Sequence, residues 1–206
     1  MTSGALGSRA GVRADLDAPR GHRNPADGLW HVPITQGGSH VSNDPEEVVT
    51  TVLGSCIAAC LRDPVAGIGG MNHFLLPEGG GSDRLEMRYG ANAMELLINE
   101  ILHRGGSRHH LEAKIFGGAS VVAGLSDVGA KNVAFIRKYL ADEGIPVVRS
   151  DVGGDHARRV QFEPVSGRAR VMKIADFQDV VFESEIATER EGSRTESKRG
   201  NDVELF

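Results

Sequence analysis

Residues 50–76 read TTVLGSCIAACLRDPVAGIGGMNHFLL, and two apolar runs in this stretch, 57–62 and 67–75, flank the dipeptide Asp63-Pro64. Aspartate suits the first position of a type I turn and proline the second, so the expectation is a pair of antiparallel strands joined at DPVA. With Asp63 opposite Ala66, Cys56 falls directly opposite His73. Facing residues of neighbouring strands hold their Cβ atoms roughly 4.5–5.5 Å apart, within reach for a thiol and an imidazole to share a proton.

Further strands are expected at 48–52, 114–116, 147–150, 159–163 and 169–174, the last two forming a hairpin around Val165-Ser166-Gly167. Two helices interrupt them. In RYGANAMELLINEILHRGG, Met94, Leu97, Ile98, Ile101 and Leu102 make one apolar stripe ahead of Gly105 and Gly106. In KNVAFIRKYLADEG, Val133, Ile136 and Leu140 face inward and Gly144 closes the helix. The expected fold class is α+β, a single-domain layered α/β sandwich with a mixed, largely antiparallel sheet and helices packed on it. Residues 1–27, rich in Gly, Ala, Pro and scattered charge, read as a disordered extension. Residues 28–182 read as the domain, and 183–206 as a charged, disordered tail.

The bulk figures agree with one folded domain: 206 residues, 40% hydrophobic, 25% charged, net charge −5. A net negative charge gives no reason to expect nucleic acid as a partner. No apolar run reaches the roughly 20 residues that span a bilayer, and the first residues lack an export signal. A cytoplasmic protein without membrane insertion is expected. Two cysteines, Cys56 and Cys60, are too few for a disulfide framework or a four-cysteine zinc site. Four residues along a strand span about 13 Å, so these two cannot pair.

The chemistry these residues suggest is acyl transfer. A thiolate is the nucleophile, and a neighbouring histidine lowers the thiol pKa and carries protons to the leaving group. Gly54 and Ser55 form a tight turn before the cysteine, with Gly54 free to take positive φ and the Cys56 amide as an oxyanion donor. Thr50, on the preceding strand, is assigned to the second imidazole nitrogen, fixing the ring's tautomer. Cys60 is assigned to core packing. His103, His109 and His110 read as loop histidines, and Glu78–Ser82 lacks the ending of a phosphate loop. Neither a metal nor a cofactor is expected.

The elements TTVLGSC, AACLRDPVAGIGGMNHFLLP, RYGANAMELLINEI, AKIFGGAS and KNVAFIRKYLADEGIPVVRSDVGGDHARRVQFEPVSGRARV together resemble the CheD family of chemoreceptor glutamine deamidases over about residues 30–175. The resemblance implies hydrolysis of selected glutamine side chains in methyl-accepting chemotaxis receptors to glutamate, with release of ammonia. It places the nucleophile at Cys56, the histidine at His73 and the threonine at Thr50, and sets Phe116–Ala119, with Gly117 and Gly118, near the site. Read from the residues alone, two glycines after a strand are a turn. The resemblance also implies receptor cytoplasmic domains as substrates and a CheC-type phosphatase as a partner. Asn72, where many family members have a small apolar residue, adjoins the histidine and is expected to alter its hydrogen bonding. The competing readings are a receptor glutamate methylesterase, a non-catalytic module that docks on receptors or on the phosphatase, and a general thiol protease.

Overall fold

The structure, a computed structural model, describes residues 21–77, 83–120 and 126–174. Among these, ten strands form two five-stranded sheets. The first contains β1 (His22–Arg23), β2 (Trp30–Pro33), β4 (Glu47–Leu53), β9 (Ala157–Phe162) and β10 (Ala169–Ile174), in that order. The second runs β3 (Ser39–Ser42), β6 (Ile68–Phe74), β5 (Ile57–Asp63), β7 (Glu112–Gly117) and β8 (Val147–Val152). Pairing is antiparallel except between β2 and β4 and between β7 and β8. Helices α1 (Asp83–His103) and α2 (Ser126–Asp142) cover the outer face of the second sheet. The expected mixed, largely antiparallel layered fold is present, with its strands divided between two sheets.

Side-chain alternation separates two cores. On β5, Ile57, Ala59 and Leu61 join Met94, Leu97, Ile98, Ile101, Ile136 and Leu140 of the helices, while Ala58 and Cys60 turn the other way. There they pack between the sheets with Val49, Leu53, Met71, Phe116, Val160 and Phe162. Strands β5 and β6 are therefore buried on both faces, which explains a run as apolar as IAACL. The helical stripe read from the sequence is the buried face of α1. The ends also follow the sequence. Gly144 closes α2, with its N–H on the Ala141 carbonyl and the Ile145 N–H on that of Leu140, and Ile145 packs in the same core as Leu140.

The turn between β5 and β6 corrects the expected register. Asp63 pairs with Ile68, not Ala66, and the residue opposite His73 is Ala58, not Cys56. A type I turn alone splays the right-twisted strands that it joins, so hairpins favour either a primed two-residue turn or a longer loop. Here the loop holds Pro64–Gly67, with Gly67 at φ +66° and its N–H on the Asp63 carbonyl. The Asp63 carboxylate accepts the N–H groups of Val65 and Ala66 and, from another loop, that of Ser107. The shift is two residues, which keeps Cys56 in phase with the face that His73 occupies but sets it diagonally, beyond the start of β5.

The short strands β1, β2 and β3 were not expected. Residues 21–27, read as part of a disordered extension, belong to the fold: β1 pairs with β2, and the Asp27 carboxylate lies 2.8 Å from His31 Nε2. Residues 1–20, the Glu78–Ser82 loop and the tail from 175 lie outside the described residues.

Candidate active site

Three chain segments meet at one end of the molecule because of how the sheets connect. Strands β2 and β4 run parallel and side by side, with Pro33 beside Thr50, and each then leaves the first sheet for the second. The first crossing is residues 34–38, leading to β3. The second is Gly54–Cys56, leading to β5. Both arrive beside the His73 end of β6, where Ser39 faces Asn72 and Ile57 faces Phe74.

Cys56 is half-buried in the second crossing, whose three carbonyls are all held. Gly54 accepts from the Ala119 N–H at 2.8 Å and Cys56 from the Gly118 N–H at 2.7 Å. Ser55 accepts from Asn132 Nδ2 at 3.2 Å. The expected positive φ at Gly54 is not found; Gly117 and Gly118 take it instead, at +108° and +65°. A Cβ on Gly117 would lie 2.1 Å from the Cys56 carbonyl oxygen, and one on Gly118 would lie 2.3 Å from Val133. The two glycines thus stand beside Cys56, where only a bare backbone fits. Burial pushes the Cys56 thiol up to about 11, against the opposing pull of its own backbone N–H.

His73 is buried between the sheets. Its Nδ1 lies 2.8 Å from the hydroxyl of Thr51, which itself donates to the Ile34 carbonyl at 2.8 Å. A hydroxyl has one proton to give. With that proton on Ile34, the Thr51 oxygen must accept from Nδ1–H, and Nε2 is left as a bare lone pair. Nε2 is buried and without a hydrogen-bond partner among the described residues. Burial lowers the His73 pKa to about 4, against the raising effect of the Ile34 carbonyl. The resting histidine is a neutral base of defined tautomer.

The assignment of Thr50 to that hydrogen bond is corrected by strand parity. Val49, Thr51 and Leu53 face the second sheet, and Thr50 points to the opposite side, contributing its carbonyl to the Ile34 N–H at 2.9 Å. Val49 and Leu53 are buried in phase with Thr51, but Val48 and Val52 stand in phase with Thr50, so apolar residues flank both threonines in the sequence and only the stacking of the sheets selects Thr51. Asn72 likewise turns away from the base. It lies on the helix side, donating to the Ala93 carbonyl and accepting from the Ala59 N–H.

Three residues of this region were not singled out from the sequence. Gln36, in the first crossing, accepts from the Cys56 thiol, with Oε1 3.6 Å from Sγ. Asn132, fully buried on α2, holds Ser55 as above and accepts the Leu76 N–H at 2.9 Å, tying the cysteine turn to the segment just after β6. Arg158, also buried, donates to the carbonyls of Gly117, Asp151 and Gly153. A polar residue on the apolar face of a helix flags Asn132, beside Val133 and Ile136; Gln36 and Arg158 carry no comparable local signal. Cys60 sits in the core between the sheets as assigned. A cleft of about 950 Å³ lies elsewhere, lined by Lys114, Phe116, Arg149, Asp151 and Val171 among others, and includes neither Cys56 nor His73.

A family model described as "CheD chemotactic sensory transduction" matches residues 75–173, beginning just past His73. A protein named "Probable chemoreceptor glutamine deamidase CheD" from Caulobacter vibrioides is 58% identical over 156 residues, covering 75% of this chain and 83% of its own length. A protein of the same name from Agrobacterium fabrum is 50% identical over 178 residues, covering 85% and 96%. Among solved structures, a Neisseria meningitidis protein is similar at a TM-score of 0.42 and 12% identity, over 63% of this chain and 66% of that one.

Proposed function

Since the chain belongs to the CheD chemotactic sensory transduction family, we propose that it hydrolyses glutamine side chains of chemoreceptors to glutamate with Cys56 as nucleophile and His73 as base. The observation that carries the reading is the buried, unpartnered Nε2 of His73, whose Nδ1 lies 2.8 Å from the Thr51 hydroxyl, at the end of the fold that holds the cysteine. The names of the relatives supply the substrate class.

Neither partner is charged at rest, since the thiol is pushed up and the imidazole down. The S–H proton therefore passes to Nε2 as sulfur attacks the glutamine Cδ. The C–N bond breaks, His73 returns the proton to nitrogen, ammonia leaves, and a thioester remains. Water then attacks the thioester with His73 again as base, giving glutamate and the thiol. The Cys56 N–H serves as an oxyanion donor, with Gly54, Ser55, Gly117 and Gly118 shaping the turn that carries it. On this reading the substrate is the cytoplasmic part of a receptor, the protein works in the cytoplasm, and a CheC-type phosphatase is its proposed partner.

Intact-mass measurement of receptor cytoplasmic fragments incubated with the protein tests this directly. Amide hydrolysis raises the mass by about one unit per site, whereas ester hydrolysis of a methylated glutamate lowers it by roughly 14. No change in the amide-bearing fragments would refute the deamidase reading.

A further inference from the structure

We propose that Gln36 is a catalytic residue of this site, its carboxamide accepting the Cys56 S–H at rest and then turning to donate Nε2–H to the sulfur as it becomes negatively charged. The inference rests on the assignment of Cys56 as nucleophile and deepens it.

The placement of Gln36 comes from the same crossing that fixes the base. In residues 34–38, the Gly37 N–H donates to the His73 carbonyl at 2.7 Å, and the Gly38 carbonyl accepts the His73 N–H at 3.0 Å. The Ile34 carbonyl accepts the Thr51 hydroxyl that sets the imidazole tautomer. One short turn thus holds the backbone of His73, completes its tautomer relay and presents Gln36 to Sγ. The turn itself is tight, closed by the Gly38 N–H on the Thr35 carbonyl at 2.9 Å, with Gly37 at φ +85°.

The chemistry of the side chain suits the position. A half-buried sulfur resists ionisation and needs a donor when its proton leaves. A carboxamide carries an acceptor and a donor on one carbon, and its terminal torsion is broad and roughly two-fold, so exchanging one for the other requires little rearrangement. At rest Oε1 takes the thiol proton's hydrogen bond. When that proton passes to His73 Nε2, the acceptor end no longer has a donor to meet and the amino end does. No bond of Gln36 is broken in the cycle. Glutamate has the same shape but offers only acceptors and a negative charge, while leucine offers neither, so the two substitutions separate polarity from bulk.

The test uses the full chain carrying Gln36→Glu or Gln36→Leu, with Cys56→Ala as the blank. Iodoacetamide modification of Cys56, followed by peptide mass across a range of pH, reads thiolate formation without any receptor present. Both variants are expected to react at least about threefold more slowly near neutral pH, with the midpoint of the pH–rate curve moved upward, because the thiolate has lost its donor. On receptor fragments, kcat is expected to fall about tenfold or more, toward the range seen when a single oxyanion donor is removed, with KM held within about twofold. If both variants are alkylated as fast as the unaltered chain over the whole range, the assignment of Gln36 is overturned. If alkylation depends on Gln36 while no receptor glutamine is converted, the deamidase reading fails and the role of Gln36 at the thiol stands.

Discussion

At the scale of single residues, two pairs of similar side chains separate by position. Cys56 lies half-exposed on a crossing between sheets, whereas Cys60 is buried in the core between them with its thiol pushed up by burial. Cys56→Ala is expected to abolish receptor deamidation in a folded protein. Cys60→Ala should keep most activity and lose on the order of 1 kcal/mol of stability, read by urea unfolding. The threonines divide in the same way. Thr51→Val removes the acceptor for His73 Nδ1–H and frees the ring's tautomer, so kcat should fall by about 10- to 100-fold with little change in KM. Thr50→Val should stay close to the unaltered protein. Steady-state kinetics of the two variants decide the matter, and the reverse pattern would return the orienting role to Thr50.

At the scale of elements, the cysteine turn has no regular structure of its own and is held from outside by Gly118 and Ala119, just after β7, and by α2. Asn132 makes the side-chain part of that hold, bridging Ser55, Val128 and Leu76 from a fully buried position. Asn132→Ala leaves the Leu76 N–H and the Ser55 carbonyl without these partners, at roughly 1–3 kcal/mol for a buried polar group. Urea unfolding should show that loss, and kcat should fall with it because the turn carrying Cys56 is loosened. A variant as stable and as active as the unaltered chain would show that backbone hydrogen bonds from Gly118 and Ala119 suffice. The turn at Asp63 shows how one element misleads a sequence reading. Asp-Pro marks a turn correctly, but Gly67, four residues after Asp63, sets its length. Reading the positive-φ glycine as part of the loop gives the observed register; stopping at DPVA gives one two residues away.

At the scale of the whole molecule, burying a neutral histidine between the sheets links the site to stability. His73 has an ordinary value of 6.5 when unfolded and about 4 when folded. Above pH 6.5 the ring is neutral in both states and favours neither. As pH falls toward 4, the unfolded chain binds a proton that the folded chain refuses, so the folded state loses stability, by on the order of 3 kcal/mol in total. Urea unfolding between these pH values should show a decline that is smaller in His73→Gln. An equal decline in both proteins would mean that His73 titrates normally in the folded state.

The local patterns were legible because each depends on neighbours in sequence. Apolar periodicity marked the buried stripes of α1 and α2, Gly144 marked a helix end, and short apolar or β-branched runs bounded by turn residues marked seven of the strands. The turn at Asp63-Pro64 brought Cys56 and His73 to one face of a hairpin, in a register two residues from the one found, and the resemblance of the chain's motifs to a known family pointed to the same two residues. The pairing of Thr51 with His73, the closing of the cysteine turn by Asn132 and the approach of Gln36 to the thiol were decided only in the tertiary structure. Each joins residues at least twenty positions apart in sequence that only the stacked sheets bring together, and which of two adjacent threonines faces the base depends on the face that β4 presents once the sheets are stacked. A sequence carries strand parity but not the identity of the layer opposite, so that choice belongs to the packed fold.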